Sequence, residues 1–202
     1  MTDANVLVTG GSGFIGSHCV VALLNAGYRV RATVRSPERG SDLQDIVARA
    51  GVNASDTLAF TIADLTSDDG WPEAVNGCEF VLHVASPHPP DEPTDEQKVV
   101  APARDGTIRV LRAARDAGVK RVVLTSSFAA ICRGHGMPDR EFTEDDWTDL
   151  NGRDVTPYVK SKVLAERAAW DFIRNEGGQT ELSVINPTAT FGPMLGDDIS
   201  PR

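Results

Sequence analysis

The chain has no long apolar run. Across its 202 residues no stretch approaches the roughly 20 consecutive apolar residues of a membrane span, so no membrane partner is expected. It is also short of basic charge. A formal net charge of −9 argues against nucleic acid as a partner and against a polybasic membrane-surface protein, because neutralising phosphates takes clustered Lys and Arg. Cysteine is scarce and odd in number. Cys19, Cys78 and Cys132 lack metal-ligand spacing and read as buried or half-buried thiols in a reducing, cytoplasmic setting. Histidine is scarce as well: His18, His83, His88 and His135 show no metal spacing, so no metal site is expected, and His18 and His83 read as structural groups. The start MTDANVLVTGG enters a strand too soon for a signal peptide to be expected. There is no internal repeat and no low-complexity tract.

What remains is an ordinary globular composition, 41% hydrophobic and 24% charged. That suffices for a substantial core, in one domain or one domain plus a fragment of a second. The most informative segment lies near the start. Gly10, Gly11, Gly13 and Gly16 follow the apolar run Val6-Leu7-Val8 and open an apolar stretch at Phe14-Ile15. A strand, a glycine turn and a helix in that order suit a pyrophosphate, since glycines allow close approach and the helix start offers free N–H groups and a favourable dipole. Gly27 closes the helix as a C-cap would.

Beyond it, strand and helix patterns alternate. Strands are predicted at Tyr28–Arg35, Leu58–Ile62, Phe80–Ala85, Arg121–Thr125 and Leu182–Asn186, with helices at Ser41–Ala50, Trp71–Val75, Gln97–Ala117 and Pro157–Asn175. Ser86 to Pro93 and the stretch from Cys132 to Thr156 read as loops. The fold expected is α/β, a Rossmann-type doubly wound parallel sheet with helices on both faces.

Ligands of such sheets sit beyond the carboxyl ends of the strands, which selects the residues of interest. Arg35 ends the second strand, where Asp or Glu would grip a ribose; an Arg there offers a planar donor fork to a 2′-phosphate and predicts NADPH over NADH, a solvated surface Arg being the alternative. Asp64 and Leu65 end the third strand, placed for an adenine amino group and ring, although Asp64 is nearly as well suited to capping the next helix. Val84, Ala85 and Ser86 end the fourth strand, on the ribose side of the groove or simply as small strand-end residues. Tyr158 and Lys162 are four apart on one helix, so they share a face. An ammonium beside a phenol favours phenolate, the pairing that proton exchange with a carbonyl oxygen needs. Ser126 and Ser127, just after the fifth strand, add a hydroxyl to hold and polarise that oxygen. A hydrolase triad on Ser127 lacks the Gly-x-Ser-x-Gly elbow.

Taken together, TGGSGFIG at Thr9–Gly16, Asp64-Leu65, TSS at Thr125–Ser127, YVKSK at Tyr158–Lys162 and NPTATFGP from Asn186 resemble the extended short-chain dehydrogenase/reductase family, part of the NAD-dependent epimerase/dehydratase superfamily. The likeness covers nearly the whole chain and is nearest to the dihydroflavonol reductase, cinnamoyl-CoA reductase and aldehyde/ketone reductase branch. The resemblance implies Ser127, Tyr158 and Lys162 as the catalytic trio. It implies Gly10, Gly13, Phe14, Ile15 and Gly16 as the pyrophosphate turn, Arg35 as the NADP selector and Pro187 as a contact near the nicotinamide. Two departures stand out. Asp42 replaces a basic residue that often assists Arg35, with Arg39 as a substitute, and family members run on for roughly a hundred further residues, a domain-sized substrate lobe. The expectation is therefore a dinucleotide-binding domain over residues 1–202 that ends where a substrate region begins.

The function expected is an NADP-dependent carbonyl reductase acting on a small-molecule aldehyde or ketone, with Tyr158 as proton donor. A nucleotide-sugar epimerase or dehydratase with bound NAD shares the fold and the Tyr/Lys pair, and a non-catalytic NADP-binding module is the alternative of another class. The sequence leaves substrate identity and homo-oligomer formation open.

Overall fold

The computed structural model describes residues 4–87, 95–136 and 139–196. Among these, strands and helices alternate in chain order: β1 (Asn5–Thr9), α1 (Phe14–Asn25), β2 (Arg29–Val34), α2 (Pro37–Arg49), β3 (Leu58–Ile62), α3 (Trp71–Val75), β4 (Phe80–His83), α4 (Gln97–Asp116), β5 (Arg121–Thr125), α5 (Pro157–Glu176) and β6 (Glu181–Ile185). A short 3-10 turn, Phe128–Ala130, follows β5. The strands form one sheet in the order β3-β2-β1-β4-β5-β6, and every pairing is parallel. Parallel neighbours need crossovers, and these put helices on both faces.

Alternation along each strand decides which face a side chain joins. Leu7, Val81, Val122 and Leu124 face α3, α4 and α5, where they meet Trp71, Val110, Leu111, Ala169 and Phe172. Val8, Val30 and Ala32 face α1 and α2 and meet Val20, Leu43 and Val47. The sheet is thus covered on both sides, as its near-continuous apolar strands predict. Chain order reverses between β1 and β4, which places the crevice of a doubly wound sheet over the carboxyl ends of those two strands.

Several boundaries differ from those the sequence predicts, for physical reasons. The second helix begins at Pro37 rather than Ser41, since Pro at the first helical position is favourable. Gly40 of that helix packs against the Phe60 ring, where a Cβ would make an ordinary contact at 3.5 Å. The fourth strand stops at His83 rather than Ala85. The amides of Val84 and Ala85 leave the ladder for the Thr9 hydroxyl, at 3.1 and 3.0 Å. His88 and most of the loop predicted up to Pro93 lie outside the described residues. No helix among the described residues is long and apolar enough to cross a membrane.

Candidate active site

The glycine turn leads directly from β1 to α1. Gly10 has a φ of +66°, a conformation that side chains resist, and a Cβ on it would press against Ala85 at 3.1 Å. Gly16 is more constrained, because its Cβ would lie 2.2 Å from the carbonyl oxygen of Gly10. The Gly10 and Gly11 amides are used by Thr33, at 3.1 Å each, and the Gly13 amide bonds the Gly10 carbonyl at 3.0 Å. Phe14, Ile15 and Gly16 form the first turn of α1, whose amides have no helical acceptor. No side chain caps that helix and no acid sits in its first turn. A glycine-rich backbone cradle, opening on uncapped N–H groups, fits the pyrophosphate of a dinucleotide.

Arg35 follows β2 and is exposed. Asp64 follows β3, and its Oδ1 accepts bonds from the Thr66 amide at 2.7 Å and the Thr66 hydroxyl at 2.6 Å. Those bonds, first the hydroxyl and then the amide, with smaller help from Arg35 and Arg109, hold its carboxyl below the usual range. Leu65 packs over Gly106 of α4, where a Cβ would meet its own Cβ at 2.9 Å.

Thr9, at the end of β1, ties the switch point together. Besides accepting from Val84 and Ala85, its hydroxyl lies 2.8 Å from Nδ1 of His83. His83 is buried, and its Nε2 meets no hydrogen-bond partner among the described residues. Burial first, then the charge of Lys162, lowers its imidazole from 6.5 to about 3.

Lys162 is the buried cation of the site, 9% exposed. Its Nζ donates to Ser86 Oγ at 2.9 Å, so α5 is tied to the carboxyl end of β4. It stands 5.7 Å from the centroid of the Tyr158 ring. Desolvation lowers its ammonium from 10.5 to about 8. Tyr158 itself is 37% exposed, in the first turn of α5, which Thr156 caps through the Val159 amide at 3.3 Å. Lys160 turns the other way, to Glu96 at 2.7 Å.

Ser127 lies beyond β5, where its Oγ accepts from the Ala129 amide at 3.2 Å and begins the turn that packs on α5. The flanking amides of Ser126 and Phe128 bond the carbonyls of Ile185 and Pro187, each at 2.8 Å, so Pro187 stands beside Ser127. Sequence reasoning missed two residues here. Glu166 is buried on α5, where its Oε2 accepts from the Ser126 hydroxyl at 2.5 Å and from Asn186 Nδ2 at 2.8 Å. Asn186 Nδ2 also reaches the Ser127 carbonyl at 3.2 Å. The available signal was Glu166 falling on the stripe of Lys162, Ala169 and Phe172, an acid on a buried helical face. The stretch from Cys132 to Thr156, predicted as irregular, holds no helix or strand among its described residues, and it folds back on this turn. Thr148 bonds Ala130 through its amide and Ala129 through its hydroxyl.

The structure thus brings Ser127, Tyr158, Lys162, Ser86 and Pro187 to one end of the sheet, with Gly10, Gly13 and Gly16 across the β1/β4 boundary. Buried cation, hydroxyls and phenol together suit proton exchange with an oxygen held there. Among the described residues no group of three or more His, Cys, Asp or Glu is placed to hold a metal ion.

Known proteins share this architecture. A dihydroflavonol 4-reductase of Hordeum vulgare is 39% identical over 202 residues, covering 97% of this chain and 56% of that protein. Cinnamoyl-CoA reductase 1 of Petunia hybrida is 39% identical over 193 residues, covering 94% and 55%. The crystal structure of Gre2 from Candida albicans in complex with NADPH superposes with a TM-score of 0.82 at 35% identity, over 94% of this chain and 59% of that one. The chain therefore spans between half and three fifths of the length of these relatives. With the NAD dependent epimerase/dehydratase profile matching residues 6–201, over the same glycine turn and Tyr/Lys helix that the fold brings together, the chain belongs to that family.

Proposed function

We propose that the chain is an NADP-dependent oxidoreductase domain that reduces an aldehyde or ketone. The observation that carries this reading is the buried Lys162, drawn by Ser86 to the end of β4 with the Tyr158 ring beside it. NADPH, when bound, supplies the hydride for the carbonyl carbon. Everything else falls to the chain. Tyr158 gives its phenolic proton to the carbonyl oxygen, Ser127 donates a hydrogen bond that orients that oxygen, and Lys162 keeps positive charge next to the phenol as it loses its proton. Gly10, Gly13, Phe14, Ile15 and Gly16 hold the pyrophosphate and Arg35 meets the 2′-phosphate. Asp64 and Leu65 take the adenine, Asp64 through the oxygen that Thr66 leaves open. Val84, Ala85 and Ser86 line the ribose, and Pro187 borders the nicotinamide. Residues 1–202 are read as one dinucleotide-binding domain reaching the start of a substrate region, and the partner is a small-molecule carbonyl compound.

Fluorescence titration with NADPH and NADH, followed by NADPH oxidation across a panel of aldehydes and ketones, tests this. Tyr158→Phe is expected to lower turnover by about 10²–10⁴-fold, the range of general-acid catalysis, with the Kd for NADPH retained. Undiminished turnover in that variant removes the mechanism. NADPH binding without oxidation of any carbonyl would make the chain a cofactor-binding module.

A further inference from the structure

Glu166 is a carboxylate 4% exposed, and no ion pair with a cation is found for it among the described residues. Burying such a group is costly unless hydrogen bonds replace water. The bonds it receives come from Ser126 and Asn186, two side chains flanking the site on the sheet side. Asn186 spends its second proton on the carbonyl of Ser127. A continuous path thus runs from α5 through Glu166 and Asn186 to the backbone of Ser127. The bonds of Ser126 and Phe128 to Ile185 and Pro187 fix the same segment to the end of β6 and the chain just after it, but not to α5.

We propose that Glu166 is a positioning residue that sets the register of α5 against the segment carrying Ser127, a role that rests on the reductase reading of this site. Tyr158, Lys162 and Glu166 occur at four-residue steps along one helix, so Glu166 stands about 12 Å along the axis from Tyr158 at the α-helical rise. A helix transmits a slip at one end to the other. Ser127 and Tyr158 must act on the same oxygen, and a misplacement of about 1 Å can cost ~10²-fold in rate. There is little slack to absorb a slip. The cavity between Ser86, Thr107, Ser126, Lys162 and Glu166 has a volume of about 10 Å³, roughly the space of one water.

The test pairs Glu166→Leu, which removes the acceptor, with Glu166→Gln, which keeps a carbonyl oxygen in its place. In the cofactor-free chain, amide hydrogen exchange at Phe128 and Ala129 is expected to accelerate at least ~10-fold in the Leu variant and to stay within about threefold of the parent in the Gln variant, with Val8 and Val30 unaffected, as a local opening requires. In NADPH-dependent turnover, Glu166→Leu is expected to lower kcat at least ~10-fold while KM for the carbonyl and Kd for NADPH move less than about threefold. Unchanged exchange at Phe128 and Ala129, or an unchanged kcat in a folded Leu variant, overturns the proposal. If the parent chain turns over no carbonyl, the reductase reading fails by itself and the exchange measurement still decides whether Glu166 holds the Ser127 segment. Should Glu166→Leu not fold, Asn186→Ala cuts the same path next to Ser127 and is read by the same measurements.

Discussion

Buried against Ser86, with its ammonium lowered from 10.5 to about 8, Lys162 gives up its charge at a pH where an exposed lysine keeps it. As pH rises through about 8 the cation beside Tyr158 is lost, so kcat/KM for carbonyl reduction is expected to fall above that pH by about tenfold per unit. Arginine stays charged throughout. Lys162→Arg is therefore expected to lose the alkaline limb near pH 8 whatever its absolute rate, and an unshifted limb in that variant assigns it elsewhere. At the other end of the cofactor groove, Arg35→Asp is expected to reverse the preference between NADPH and NADH by removing the fork for a 2′-phosphate and offering an acceptor to a ribose hydroxyl. Steady-state kinetics with both cofactors check this, and an unchanged ratio would mean that Arg35 is only a solvated surface group. Candidates of this kind can be read from a sequence where short-range spacing marks them: Tyr158 and Lys162 share a face of one helix, and Ser126 and Ser127 follow a strand, the choice of Ser127 between them resting on the family resemblance. Glu166 showed only as an acid on a buried helical stripe, and the bridging roles of Asn186 and Thr9 were not legible. Their partners lie on other elements, and nothing local marks a carboxamide or a hydroxyl as bridging two of them.

Among the elements, the turn between β1 and α1 tolerates little change. A Cβ at Gly16 would stand 2.2 Å from a backbone carbonyl, which no rotamer change relieves. Gly16→Ala is expected to destabilise the fold by about 1–3 kcal/mol, the usual cost of overpacking, and to weaken NADPH binding at least ~10-fold by displacing the cradle. Urea midpoints and a fluorescence titration measure the two effects. Retained affinity in this variant would show that the cofactor does not approach the turn. The order of strands and helices was readable because parallel strands buried on both faces are continuous apolar runs and the intervening helices carry 3.6-residue spacing. Element ends were read less well. Leaving a strand depends on where its amides find acceptors, and the Thr9 hydroxyl that draws Val84 and Ala85 away belongs to a different strand. The turn after Ser127 was hidden for the same reason, since Thr148 closes it from a distant point in the chain.

For the molecule as a whole, the buried His83 makes stability depend on pH. Folded, its imidazole stays neutral down to about 3, whereas an unfolded chain takes up a proton near 6.5. Below 6.5 the unfolded state therefore binds more protons, and this contribution to stability drains away as pH falls toward 3, at up to about 1.4 kcal/mol per pH unit. Between about pH 6.5 and 5, above the range in which ordinary carboxylates titrate, His83→Asn is expected to flatten the curve of urea-unfolding free energy. An equally steep curve in that variant would place the proton uptake on another group.

The same arrangement at Thr9 settles where one hydrogen atom resides. A hydroxyl has a single hydrogen and two lone pairs, and the Val84 and Ala85 amides claim both pairs. Its hydrogen must then point at Nδ1 of His83, which leaves that nitrogen bare and confines the imidazole to the Nε2–H tautomer. Nitrogen chemical shifts of a specifically labelled ring would read out this choice directly, making one imidazole a resident reporter of whether the first and fourth strands remain in register.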